Sequence, residues 1–332
     1  MDLKSIDLYA GMGGIRLGFS QLGFKTVFAN DCDVRCKLIY DANFSEAQLD
    51  TRDIGAIKTH SLPDFDFLLA GFPCQAFSIA GYQKGLEDER GNQFFNIIKI
   101  LKVKKPLGFL LENVKNMRSH DGGRTFRIMS QALRDVGYHF QAQVMNTMEY
   151  GNLPQNRERI YIVGFKDPKL CDNFIFPNPI ALIQTIQDML DDPQDIDDKY
   201  YYNDKPLFES LKDYPFKQGQ VYQWRRKYIR KNQKGVCPTL TANMGTGGHN
   251  VPLVQDGRGL RKLTPRECAR LQGFDDSYLL PEELSNTVLY HKIGNSVSVP
   301  VIQAVARQIT QAFDYQNAKP VRQLQLVASH TS

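Results

Sequence analysis

Short runs that are apolar on both faces alternate with amphipathic stretches through about the first 170 residues of this 332-residue chain, and few patterns restrict a fold more tightly. Ile6–Ala10, Thr26–Asn30, Phe65–Ala70, Gly108–Glu112, Gln141–Asn146 and Arg159–Phe165 read as strands. Between them Gly14–Leu22, Val34–Asn43, Asn92–Val103 and Arg124–Val136 carry helical spacing. A strand without a polar face needs cover above and below, so the pattern predicts an α/β fold with a mostly parallel sheet flanked by helices. Ligands of such sheets bind beyond the carboxyl ends of the strands.

The alternation breaks near Phe176–Pro179, where an acidic stretch (Asp188–Asp198) and then a basic one follow. Lys217, Arg225, Arg226, Lys227, Arg230, Lys231, Lys234, Arg258, Arg261 and Lys262 face a single acid, Asp256, which suits a phosphate backbone and equally a solvated basic surface. Helix returns at Thr264–Gln272, where Thr264 caps, Pro265 opens the first turn and Glu267 stands three residues after the cap. A last helix is expected from about Val299 to Phe313.

Met1–Lys4 carries an acid and a base with no long apolar run after it, and no stretch approaches the roughly 20 apolar residues of a membrane span. The six cysteines are scattered without CxxC pairs, so neither a metal site nor a disulfide scaffold is expected. These features predict a cytoplasmic protein with reduced thiols, bound neither to metal nor to membrane.

"DLYAGMGGIRLGF" (Asp7–Phe19) reads as strand, glycine turn and helix start, with Gly11 and Gly13 allowing close approach to a ligand. Asp31, at the end of the second strand, can accept hydrogen bonds from ribose hydroxyls, and Asp53, in "RDI" with Ile54, can reach an adenine amino group. The spacing is not GxGxxG, and at this level a dehydrogenase or any nucleotide-binding α/β protein fits. In "AGFPCQAFSIAG" Cys74 follows Pro73 at the end of a buried strand, as a core thiol or a nucleophile.

"GFPCQAFS", "LLENVKN", "PQNRERIYIVGF", "RKLTPRECARLQGF" and "IGNSVSVPV" occur in one order, and together they resemble the C5-cytosine DNA methyltransferases of bacterial restriction–modification systems. The resemblance spans Ile6 to about Phe313 apart from a variable stretch between about Ala181 and Gly257. It implies an S-adenosylmethionine-dependent, Rossmann-like methyltransferase fold, residues 1–180 completed by 285–332, with a smaller target-recognition domain and hinge inserted at 181–284. It implies methyl transfer from S-adenosyl-L-methionine to C5 of a cytosine flipped out of double-stranded DNA. Cys74 would attack C6, Glu112 would serve N3, and Arg157 and Arg159 would hold the base O2 and brace the carboxylate. Tyr9, Gly11, Met12, Gly13, Asp31, Asp53, Ile54 and Asn295 would form the cofactor pocket. Ser78, Lys84 and Arg90 of a closing loop, with Arg225, Arg226, Lys227, Thr239 and Leu240 of the insert, would meet DNA. A monomer acting alongside a cognate restriction endonuclease is implied as well. A tRNA cytosine-5 methyltransferase on the same frame and a non-catalytic DNA-binding module are the alternatives. An adenine or N4-cytosine enzyme would need a (D/N/S)PP(Y/F) word, and none is present.

Overall fold

The computed structural model describes residues 2–73, 93–203, 205–225, 228–232, 235–246 and 252–317. Its first part runs β1 (Leu3–Leu8), α1 (Gly14–Ser20), β2 (Phe24–Asn30), α2 (Val34–Asn43), β3 (Leu49–Asp50), β4 (Phe67–Ala70), α3 (Gln93–Lys104), β5 (Gly108–Val114), α4 (Arg124–Asp135), β6 (His139–Asn146), α5 (Thr147–Tyr150), β7 (Gln155–Asn156), β8 (Glu158–Phe165) and α6 (Pro168–Asn173). Seven of these strands form one sheet in the order β3-β2-β1-β4-β5-β8-β6. The first five are parallel, and β8 runs antiparallel to both neighbours. All four residues of β4 and the first six of β5 are buried, as two-sided cover demands. β6 departs from that expectation: it lies at the sheet edge and most of its residues are only half-buried.

Helices α3 and α4 cover one face, where Phe94, Ile97, Ile98, Leu101, Met129 and Leu133 pack on Leu68, Phe109 and Leu111. On the other face α1 and α6 pack with α9 (Val299–Asn317), the chain's last described element. That final helix runs past the expected Phe313. Gly18 makes its docking possible, because a Cβ there would stand 2.7 Å from Ile302 Cγ2. Phe313 sets its ring edge-on against Phe165 of β8, 6.0 Å between centroids. The C-terminal segment thereby closes on the first sheet.

Between these parts lie β9 (Val221–Trp224), β10 (Ile229–Lys231), β11 (Cys237–Pro238), β12 (Pro252–Gln255), β13 (Leu260–Lys262), α7 (Pro265–Leu271) and α8 (Asn286–Asn295). β10-β9-β12-β13 form an antiparallel sheet whose register the turn-rich sequence did not disclose. Tyr222, Leu253 and Leu260 pack with Leu211 on one of its faces. The capping box of α7 forms as its sequence predicts, Thr264 Oγ1 accepting from the Glu267 N–H. Two of the basic residues in this stretch are engaged by the fold, one of them withdrawn from solvent. Arg261 is fully buried, donating to Glu267 at 2.8 Å through two nitrogens and to Asp256 at 2.6 Å. Arg258 pairs with Asp198 and donates to the carbonyls of Pro193 and Ile196. A buried guanidinium needs such partners to offset its desolvation. No helix among the described residues is long and apolar enough to cross a membrane.

Candidate active site

A cavity of about 450 Å³ opens beyond the carboxyl ends of the parallel strands. Its floor is the turn after β1, where Tyr9, Gly11 and Gly13 all adopt positive φ (55°, 54° and 78°). At Gly13 a Cβ would stand 2.3 Å from the Phe44 ring, so only glycine fits. Asp31 fastens this turn: Oδ2 accepts from the Gly11 N–H and Oδ1 from the Asp33 N–H, each at 2.9 Å. Each oxygen keeps acceptor capacity for a further donor. The Tyr9 hydroxyl donates to the Gln93 carbonyl at 2.9 Å, tying the floor to α3.

The opposite wall is catalytic in character. Glu112 lies near the end of β5 at 8 % exposure, and Arg159, two residues from its register partner Tyr161 on antiparallel β8, brings Nε to 3.2 Å from Oε1. That contact is an ion pair without a directed hydrogen bond, which leaves Oε1 buried and unpartnered in hydrogen-bonding terms. Burial raises the Glu112 pKa above its ordinary value, against the pull of Arg159 and then Arg157. The next residue, Asn113, donates from Nδ2 to the Phe72 carbonyl at 2.7 Å. It fixes the backbone two residues ahead of Cys74, and Pro73 lines the cavity directly beyond.

Arg157 lines the same cavity but is anchored by the backbone around it. It is only 2 % exposed, and its guanidinium donates to the carbonyls of Leu240 (2.9 Å), Gly294 (3.3 Å) and Ser296. These bonds tie β8's lead-in to the insert and to the end of α8. Burial, reinforced by Arg159, draws its pKa down to about 9, so it remains a cation at neutral pH. Its Nε alone is buried without a partner.

Of the other residues expected around a cofactor, Asn295 lines the cavity from the end of α8, while Met12, Gly13, Asp53 and Ile54 do not. Met12 is buried in the core, where it packs with Leu153 and Phe274, and Ile54 is buried as well. Asp53 caps the short turn Ile54–Ala56, accepting from Gly55 N–H at 2.7 Å, yet its charge still reaches Tyr9 and Cys32 at the cavity edge. Leu240 cannot meet DNA: it is 1 % exposed in the core, its N–H held by Gln155 and its carbonyl by Arg157. Thr239 is half-buried and donates to the Asn156 carbonyl at 2.7 Å, and Arg225 lines a second cavity beside it. Cys74, Ser78, Lys84, Arg90, Arg226 and Lys227 lie outside the described residues.

Among the polar cavity residues not singled out from the sequence are Asp33, Asn113, His291 and Lys292. Lys292, 5 % exposed, forms an ion pair with Asp33 across 259 positions of chain. That pair lowers the Asp33 pKa together with Arg35, the larger influence. A signal existed: Ser285 ahead of Val288, Leu289 and Ile293 is a helix start with apolar spacing, and it would have put His291, Lys292 and Asn295 on one helix.

A glycine turn held by a carboxylate at the carboxyl edge of a parallel sheet, facing a buried Glu–Arg pair, defines a nucleotide-cofactor enzyme of the doubly wound class. The family model for C-5 cytosine-specific DNA methylases matches residues 3–311, and the chain belongs to that family. It is therefore a methyltransferase of the Rossmann-like kind its sheet describes. Among relatives, it is 51 % identical over 311 residues to type II methyltransferase M.Bsp6I of Bacillus sp. (strain RFL6), covering 92 % of this chain and 98 % of that one. It is 37 % identical over 331 residues to type II methyltransferase M.HhaI of Haemophilus parahaemolyticus, covering 94 % and 96 %. Among solved structures, Dnmt2 methyltransferase of S. pombe superposes with a TM-score of 0.72 at 20 % identity, covering 95 % of this chain and 99 % of that one. At that identity the likeness speaks for the fold alone.

Proposed function

We propose that this chain is a DNA (cytosine-5)-methyltransferase that modifies one cytosine in a short duplex sequence, through a covalent bond between Cys74 and C6. The observation that carries the reading is the buried Glu112–Arg159 pair facing the Asp31-braced glycine turn across one cavity. The relatives' names, type II methyltransferases, support a partnership with a restriction endonuclease.

The residues present fit S-adenosylmethionine. Asp31 has spare acceptor capacity, Asn295 offers an amide, and the turn at Gly11 exposes backbone. When bound, the cofactor supplies a methyl group on a sulfonium that leaves as a neutral thioether. The chain's residues do the rest. The Cys74 thiolate adds to C6 of the flipped cytosine, and the electron pair displaced toward N3 is met by the Glu112 proton. C5, now enamine-like, takes the methyl; a base then removes the C5 proton, and expulsion of the thiolate, with the N3 proton passing back to the Glu112 carboxylate, restores the ring. Glu112 must hold a proton for this, and its raised pKa favours that form. Arg159 keeps the carboxyl aimed and offers its remaining donors to the base oxygen.

Residues 1–180 with 285–332 form the catalytic and cofactor unit in this reading, and 181–284 the target-recognition unit. The protein acts as a cytoplasmic monomer on double-stranded DNA. Bisulfite sequencing of plasmid from cells expressing the chain should show unconverted cytosines at one short sequence. Complete conversion, with the protein present and folded, would overturn the assignment.

Lys292 belongs to the cofactor pocket by the same reading, because its pair with Asp33 holds the loop on which Asp31 turns. Lys292→Met should weaken S-adenosylmethionine binding roughly tenfold, equivalent to about 1.4 kcal/mol, and leave turnover at saturating cofactor nearly unchanged. Lys292→Arg should restore most of the affinity. Titration calorimetry with the cofactor measures this directly; a lower melting temperature with unaltered affinity would reduce the ion pair to a structural role.

A further inference from the structure

A second cavity, about 440 Å³, lies one residue from the first: Arg157 lines the catalytic cavity and Asn156 lines this one. Its back wall is the β9–β10 hairpin. Strand alternation divides the central residues of that hairpin between two faces. Tyr222, Trp224 and Ile229 pack into the apolar cluster around Leu211. Gln223 and Arg230, directly opposite each other in the register, therefore project to the other face and line the cavity. Gln223 is 3 % exposed, yet its amide makes no hydrogen bond among the described residues. Its amide opens onto the cavity, so two donors and an acceptor stand available to a ligand there. The facing wall is anchored to the catalytic strand, since Thr239 donates to the Asn156 carbonyl.

We propose that Gln223 and Arg230 read base edges of the duplex beside the flipped cytosine, Arg230 taking a guanine and Gln223 the neighbouring purine. This rests on the methyltransferase reading above and assigns its sequence choice to two side chains. The chemistry is that of base readout. A guanidinium fork matches O6 and N7 of guanine, and a glutamine amide matches N6 and N7 of adenine. A phosphate, by contrast, has no hydrogen for the glutamine oxygen to accept. The recessed position of Gln223 also suits selection by mismatch, because a wrong base would displace the water at its amide without replacing the hydrogen bonds.

The test begins with the wild-type bisulfite map of a plasmid, which defines the site. Duplexes carrying that site, and each of its single-base variants, are then compared by kcat/KM for wild type, Gln223→Ala, Arg230→Ala and Arg230→Lys. Discrimination at one base pair each should fall by about 5- to 150-fold for Gln223→Ala and Arg230→Ala. It should fall for Arg230→Lys as well, because lysine keeps the charge and loses the fork. The salt slope of duplex binding should stay constant for Gln223→Ala. The inference is overturned if every discrimination ratio is retained, whether activity drops uniformly or not, or if Arg230→Lys is indistinguishable from wild type while Arg230→Ala only flattens the salt slope, the mark of a phosphate contact. A variant is scored only if it binds S-adenosylmethionine as wild type does. The conservative Gln223→Glu stands in for Gln223→Ala if the latter fails that criterion. A wild-type enzyme that methylates its site while the variants keep its discrimination refutes this inference alone and leaves the methyltransferase reading standing.

Discussion

Cys74→Ser is expected to remove methyl transfer almost completely, a loss of at least about 10⁴-fold in kcat, while cofactor and duplex binding persist. Serine keeps the size and loses the chemistry: at neutral pH its hydroxyl is neither ionised nor nucleophilic enough to add to C6. Tritium transfer from labelled S-adenosylmethionine to plasmid measures the loss. A companion trap makes the result specific. Wild type should form a denaturant-stable adduct with a duplex holding 5-fluorocytosine at the target, since fluorine at C5 cannot leave as the proton does. Substantial turnover by the serine variant, or no adduct with an active wild type, would remove Cys74 from the mechanism.

Glu112→Gln should cost about 10²- to 10⁴-fold in kcat, the range a positioned acid contributes, with little change in cofactor affinity. The pH profile gives the sharper readout. Glu112 works protonated, and burial raises its pKa. Wild-type turnover limited by this group should therefore hold at low pH and fall as pH rises through that raised value. The glutamine variant should lose this limb, because its amide does not titrate. Neutralising Glu112 also leaves Arg159 facing an uncharged amide, so the melting temperature should drop; a fall in stability with kcat and pH profile intact would confine the pair to a structural role.

Much of the site was legible before any coordinates. Glu112 and Arg159 sit in separate words of sequence, yet antiparallel pairing of β5 with β8 brings them into contact, and Asp31, read from the sequence as a ribose acceptor, also holds the glycine turn. What could not be read were directions. Arg157 and Arg159 occur two apart in "NRER", and their expected roles were shared; the structure turns Arg157 onto three carbonyls from the insert and α8. Leu240 looked like a neighbour of Thr239 on a DNA-facing loop, but the Gln155 amide oxygen and Arg157 hold it in the core.

Local sequence by itself determined the strand–helix alternation and the glycine turn, because dihedral preference and apolar periodicity are properties of short segments. Only the tertiary structure decided which cations serve the fold. Arg261 and Arg258 belong to the same basic run as Arg230, and a one-dimensional count treats them alike. Yet Arg261 is enclosed by Asp256 and Glu267 while Arg230 faces a cavity. The physical reason is that desolvation and pairing depend on which distant acids the packed elements bring within a few ångströms, and that distance exists only once the chain has closed on itself.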